Sequence, residues 1–129
     1  RDEDLSRGLG DVYKRQGSKN IWPGLYDLYF DKSKDIPETD MKDRLMFRQV
    51  IEALKCLETG VLRSVADGNI GSIMGIGAPP HTGGLIQFVN TCGKEAFIER
   101  CKTLEAAYGE RFKCPQIVHE MLEKEEMFV

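Results

Sequence analysis

Two histidines, four cysteines and a scatter of carboxylates are the groups through which this 129-residue chain could do chemistry. His81 stands in the loop GAPPHTGG and His119 in the last apolar segment, and neither has a serine, cysteine or carboxylate spaced to suggest a relay. The first reads as a loop residue and the second as a surface or boundary residue. Two lone histidines without a companion ligand do not make a metal site. Cys56, Cys92, Cys101 and Cys114 are widely and irregularly spaced with no CxxC, which argues against a zinc ribbon or a redox pair. An even count permits disulfides, but a helical domain of this size does not need them, and the four read as reduced, partly buried thiols. Gly75-Ile76-Gly77 invites comparison with a dinucleotide fingerprint and fails it. The sixth position is Pro80 instead of glycine, no strand precedes the motif, and prolines lack the N–H donors that cradle phosphate. Glu120, Glu123, Glu125 and Glu126 read as a solvated face. Asp43 and Glu52 are the carboxylates that most merit inspection, although caps and surface ion pairs account for them.

These groups are carried by helical segments. Met46, Val50, Ala53 and Leu57 form one apolar row, with Phe47, Ile51 and Leu54 beside it, which predicts a long amphipathic helix over 40–59, capped by Thr39 or Asp40 and ended by Gly60. On its outer face the Arg48–Glu52 and Glu52–Lys55 spacings add only tenths of a kcal/mol, roughly, so burial of the inner face must hold the helix. Ser64 with Asp67 three positions on resembles a capping box and opens a second helix, with Ile70, Ile73 and Met74 facing the core. Gly68, Gly71 and Gly75 share one face there, a spacing that predicts a closely crossing neighbour. The loop 77–84 is rigid, with two prolines fixing φ between glycines that permit tight bends. Further helices follow over 85–91, with Leu85, Ile86, Phe88 and Val89 inward, over 94–108, with Phe97, Ile98, Cys101, Leu104 and Tyr108 inward, and after Pro115, with Ile117, Val118, Met121 and Leu122 inward.

Before the long helix, residues 17–30 carry Ile21, Trp22, Leu25, Leu28, Tyr29 and Phe30, with Pro23 opening a short helix and Trp22 expected to anchor on the main core. The polar stretch 31–38 is a linker. Residues 1–16 have no sustained period. GDVYKRQ resembles a tail left by read-through of sequencing adapters, so this segment is either an artefact or a disordered terminus, and the helical domain is assigned to 17–129. No run of alternating β-branched residues occurs, and the expected fold is an all-α compact bundle of five or six helices.

Composition narrows the function classes. With 41% hydrophobic and 30% charged residues the chain reads as one globular unit, and with 18 basic against 21 acidic side chains no segment forms a basic footprint for nucleic acid or anionic lipid. Apolar stretches fall far short of the roughly 18 residues that span a membrane, and no secretory signal is evident.

The stretch RLMFRQVIEALKCLETGVLRSVADGNIGSIMGIGAPPHTGG resembles the C-terminal helical domain of L-3-hydroxyacyl-CoA dehydrogenases, most of all the second copy in multifunctional fatty-acid oxidation proteins. The resemblance is carried by Arg44 and Glu52-Ala53, Cys56-Leu57-Glu58 with Gly60, Asp67, Ile70-Gly71, Gly75-Ile76-Gly77, Pro79-Pro80 and Gly83-Gly84, then Tyr108-Gly109-Glu110-Arg111-Phe112 and Met121. Trp22-Pro23-Gly24-Leu25 is similar to the join that precedes that domain. The resemblance implies a fold like the C-terminal domain of 6-phosphogluconate dehydrogenase and a parent that oxidises L-3-hydroxyacyl-CoA to 3-ketoacyl-CoA with NAD, joined in multifunctional members by enoyl-CoA hydratase on the same chain. It places NAD and the catalytic His-Glu pair in an upstream domain, leaving no cofactor in this chain. The implied partners are that NAD-binding domain, a first helical copy, acyl-CoA through the parent, and a second subunit in a homo-oligomer. The implied compartment is intracellular and reducing, cytoplasmic in a bacterium and mitochondrial or peroxisomal in a eukaryote. Where the catalytic copy has an asparagine before the arginine of the long helix, this chain has Asp43, which lacks an amide donor and would set negative charge beside a developing oxyanion. The expectation is therefore a non-catalytic packing copy with no catalytic residue, the alternatives being a catalytically engaged helical domain that borders the acyl-CoA cleft and an independent helical interaction module. Asp43, Arg44, Pro79, Pro80 and His81 are its substrate-proximal positions.

Overall fold

A computed structural model describes residues 22–31 and 33–129, and the reading of residues 1–16 lies outside them. Every element among the described residues is helical: α1 Gly24–Tyr29, α2 Glu38–Glu58, α3 Val65–Ile76, α4 Gln87–Cys92, α5 Lys94–Tyr108 and α6 Gln116–Glu123, with 3-10 turns at Pro80–Thr82 and Glu110–Phe112. This is the expected all-α class. The chain divides into two units, Arg1–Asp35 and Ile36–Val129, within the stretch read as a linker. In the first, α1 has no buried residue, and the Trp22 indole lies back along Gly24.

In the second unit the predicted inner rows meet. Phe47, Val50, Ile51 and Leu54 of α2 pack with Phe97, Ile98, Cys101 and Leu104 of α5, with Val89 of α4 and with Val118 of α6. Phe97 stacks on Phe47 at a centroid distance of 4.8 Å, and Phe88 meets Phe47 edge-on at 5.8 Å, which fixes where α2, α4 and α5 cross. Phe128 is buried, and the Asn90 side chain bonds both its N–H and its C=O, tying the C-terminal residues to α4.

The helix starts differ from expectation. α2 begins at Glu38 after Pro37 with no side-chain cap, so neither Thr39 nor Asp40 caps it. Gly60 follows its end at φ 74°, as predicted. Ser64 caps α3, accepting from the Asp67 N–H at 3.0 Å. The face that α3 turns inward is not the predicted one. Gly68 and Ser72 are buried, Ile73 is half-buried, and Ile70 and Met74 are 62% and 82% exposed. The cause is polar and local: Asn69 and Ser72 are needed on the inner side to bind the chain that follows the proline loop. Asn69 Oδ1 accepts from the Ile86 and Gln87 N–H groups at 3.0 and 2.9 Å, capping α4 from a distance, and Ser72 Oγ accepts from the Leu85 N–H at 3.2 Å. The glycine expectation divides accordingly. A methyl on Gly68 would fall 2.4 Å from Ile86, a true close approach, whereas Gly71 and Gly75 face open space.

Candidate functional site

The two groups of positions expected near substrate lie in different surroundings. Asp43 and Arg44 sit early on α2, where Asp40 and Asp43, three apart, both face α5. Arg100 of α5 bridges them, its Nε donating to Asp43 Oδ2 at 2.7 Å and its Nη2 to Asp40 Oδ1 at 2.6 Å. The Tyr108 hydroxyl donates to the other Asp40 oxygen at 2.6 Å, and the Arg44 guanidinium lies 4.4 Å over the Tyr108 ring. Both carboxylates are thus committed to a clamp between two helices. The Tyr108 and Arg100 hydrogen bonds hold the Asp40 carboxyl below the usual carboxylate range, and the same Asp40 contact raises the Tyr108 phenol above its ordinary value. Beside this clamp, burial and then the Asp43 charge push the Cys92 thiol up, so it stays protonated.

The clamp makes stability depend on pH at both ends. Asp40 has its folded pKa below the unfolded one, so its contribution is complete above the unfolded value and fades as pH falls through the folded one. Tyr108 is the reverse, contributing below its ordinary value and losing the contribution as pH rises through the folded one. Asp40→Asn is therefore expected to be less stable than the parent at neutral pH in urea unfolding, with the two curves converging as pH falls below the ordinary carboxylate range and through the lowered folded value. A gap that stays constant over that range would show that the carboxylate is not held as described.

Pro79, Pro80 and His81 lie in the loop after α3. Pro79 is half-buried, Pro80 and His81 are exposed, and Thr82 is buried with its hydroxyl bonded to the Pro79 carbonyl at 2.7 Å. His81 makes no side-chain hydrogen bond or ion pair among the described residues, and no such contact joins this loop to Asp43 or Arg44. His119 is half-buried at the boundary, the four acidic residues around it are exposed, and all four cysteines are free. Cys101 donates to the Cys114 sulfur, and that bond, together with burial, drives the Cys101 thiol far above its ordinary value. No cluster of three metal-ligating side chains occurs among the described residues.

The glycines of Gly75-Ile76-Gly77 do not make a nucleotide cradle. Gly77 has φ 71° and closes α3 from its C-terminal side, where the helix presents carbonyl oxygens and negative partial charge, the wrong end for a phosphate. No strand precedes it among the described residues.

Two grooves run along the outer face of α2. An apolar one of about 500 Å³ lies between α2 and α3, lined by Ala53, Cys56, Val61, Leu62, Gly71 and Ile76, with Arg48 and Glu52 at its rim. A basic one of about 560 Å³ lies between α2 and the Glu110–Phe112 turn, lined by Met41, Arg44, Leu45, Arg48, Arg111 and Phe112. Only Arg44 of the expected positions lines either. Asp40, Arg100 and Tyr108 were missed in the sequence because Asp40 had a sufficient local explanation as a cap. The available signal was that Asp40, Asp43 and Arg44 share one face of α2 while Arg100 and Tyr108 are eight residues apart on α5.

With this geometry in view, the chain can be compared with known proteins. It is 36% identical over 87 residues to the fatty acid oxidation complex subunit alpha of Shewanella sp. (strain MR-4), covering 67% of this chain and 12% of that subunit. The subunit of the same name from Vibrio cholerae serotype O1 is 34% identical over 106 residues, covering 78% of this chain and 14% of the relative. This chain is similar to one segment of that subunit. It spans only 12 to 14% of the length of these curated relatives. No family model matches it. Among the described residues no helix is long and apolar enough to cross a membrane.

Proposed function

We propose that the chain is the C-terminal helical domain of an NAD-dependent L-3-hydroxyacyl-CoA dehydrogenase of fatty-acid β-oxidation, and specifically the non-catalytic copy that packs against a sibling helical domain. The similarity to subunits of fatty acid oxidation complexes supports the pathway, and the all-helical fold supports assignment to the helical part of such a chain. The observation that carries the packing role is the outer face of α3 together with Val61 in the turn before it. Val61, Ile70, Met74 and Ile76 are 72%, 62%, 82% and 66% exposed, beside an apolar groove and two glycines with open space above them. An apolar face of this kind, lacking a partner within its own unit, marks a contact surface. Asp43, locked to Arg100, has no donor to offer a substrate carbonyl, which agrees with a copy that positions nothing for chemistry.

NAD and the catalytic pair then belong to an upstream domain, and acyl-CoA reaches this copy only through the parent. In the recovered full-length subunit, Met74→Glu is expected to weaken the packing of the two helical copies, read as faster protease cleavage between them and a lower Tm. The same change in this chain alone alters stability by no more than about 0.5 kcal/mol, because Met74 is a surface residue here. Equal, small effects in both would remove the α3 face as the contact surface.

A further inference from the structure

Two of the four thiols meet in the fold, and neither the clamp nor the packing role uses them. Cys101 sits on the inner face of α5 with no exposed surface, in a core cluster against which Cys114 also packs. Cys114 is half-buried in the short connection 113–115 between the Glu110–Phe112 turn and α6, and its sulfur accepts from the Cys101 S–H. We infer that the pair is a site of reversible oxidation by hydroperoxides, Cys114 being the thiol that meets the oxidant and Cys101 the one that resolves it to a disulfide.

Burial divides the roles. Cys101 is out of reach of a solute, whereas Cys114 lines an open groove of about 450 Å³ together with Lys55, Arg111 and Lys113, with Glu110 as the one carboxylate of that lining. The thiolate is the reactive form, and cationic surroundings favour it. The Cys101 S–H, donating to Cys114, holds the Cys114 thiol below its ordinary value, against burial and the charges of Glu105 and Glu58. In the first step the Cys114 thiolate attacks the peroxide: an S–O bond forms, the O–O bond breaks, and the departing hydroxide takes up a proton as water. Cys114 is then a sulfenic acid, oxidised by two electrons, and the peroxide is reduced by the same two. In the second, the Cys101 sulfur attacks the Cys114 sulfur, the S–O bond breaks, and the hydroxyl leaves with the Cys101 proton as a second water. Cys101 is fixed in α5, but the connection 113–115 is outside any helix, so the Cys114 backbone can adjust to the geometry of the bond. Cys92 and Cys56 lack this arrangement: burial and then the Asp43 charge push the Cys92 thiol up, and Cys56 lies in the apolar groove beside α3.

The site rests on no assumption about the parent enzyme. The test treats the reduced 129-residue chain with stoichiometric hydrogen peroxide near neutral pH, alkylates the remaining thiols and maps tryptic peptides by mass. The expected product is peptide 101–102 joined to 114–124, with Cys56 and Cys92 alkylated and the link removed by dithiothreitol. Cys114→Ser is expected to consume peroxide at least roughly tenfold more slowly than the parent. Cys101→Ala is expected to stop at the sulfenic acid, which dimedone traps on Cys114. Should that core change prevent folding, dimedone present during oxidation of the parent chain reads the same point, marking Cys114 and not Cys101. No linked peptide, links made mainly through Cys56 or Cys92, an undiminished rate in Cys114→Ser, or dimedone on Cys101 would each overturn the site.

Discussion

Phe97→Ala is expected to lower the unfolding free energy by about 4 kcal/mol, the range for deleting a fully buried aromatic ring. Phe97 has no exposed surface, stacks on Phe47 and sits where α5 crosses α2. Removing the ring therefore costs its transfer energy and leaves a cavity that two crossing helices cannot close. Against a typical total of about 5–15 kcal/mol for a domain, this removes roughly a quarter or more of the stability. Urea unfolding followed by far-UV circular dichroism checks it. A loss below about 1.5 kcal/mol would mean that the site collapses freely and that the core is not closely packed there.

The second large effect is expected at Gly84, and it acts through the backbone. Gly84 has φ 112°, which an L side chain rarely adopts, and a methyl there would fall 2.5 Å from the Asn69 Cα, a backbone atom that cannot swing aside. Relief requires the proline loop to move off α3, which breaks the bonds from Asn69 to the Ile86 and Gln87 N–H groups and from Ser72 to the Leu85 N–H. Gly84→Ala is expected to cost roughly 3 kcal/mol or more, combining conformational strain with overpacking. Gly71→Ala serves as the control: it faces open space in mid-helix and is expected to be neutral or stabilising by up to about 1 kcal/mol. Equal effects at the two positions in thermal unfolding would show that the Gly84–Asn69 approach is not as close as described.

Those two residues also mark what the sequence could and could not show. Phe97 was readable because a helix facing a core must repeat its apolar residues every three to four positions, and the same rule found the inner rows of α2, α5 and α6. The rule failed on α3. There Ile70 and Met74 obey the period yet point outward, because the inner side is occupied by Asn69 and Ser72, whose partners lie thirteen to eighteen residues away. Periodicity cannot tell a core face from a face kept for another domain, since both are apolar. Caps were legible when local, as Ser64 was, and hidden when distant. α4 takes its cap from Asn69, and the first turn of α6 takes one from Glu58, whose carboxylate accepts from the Ile117 N–H at 2.9 Å. Asp40 was misread for the same reason: the partners that claim it, Arg100 and Tyr108, are 60 and 68 residues away. The basic groove was invisible for a further reason, since Arg44 and Arg48 are joined by Arg111 only when the Glu110–Phe112 turn folds back on α2.

The distinction between a packing domain and a reacting one comes down to whether this chain holds any group that moves a hydride or a proton. The most direct measurement is absorbance at the NADH band with the purified chain, NAD and L-3-hydroxybutyryl-CoA. No NADH above the protein-free rate is the predicted result, and NADH formation proportional to the amount of chain would contradict the account.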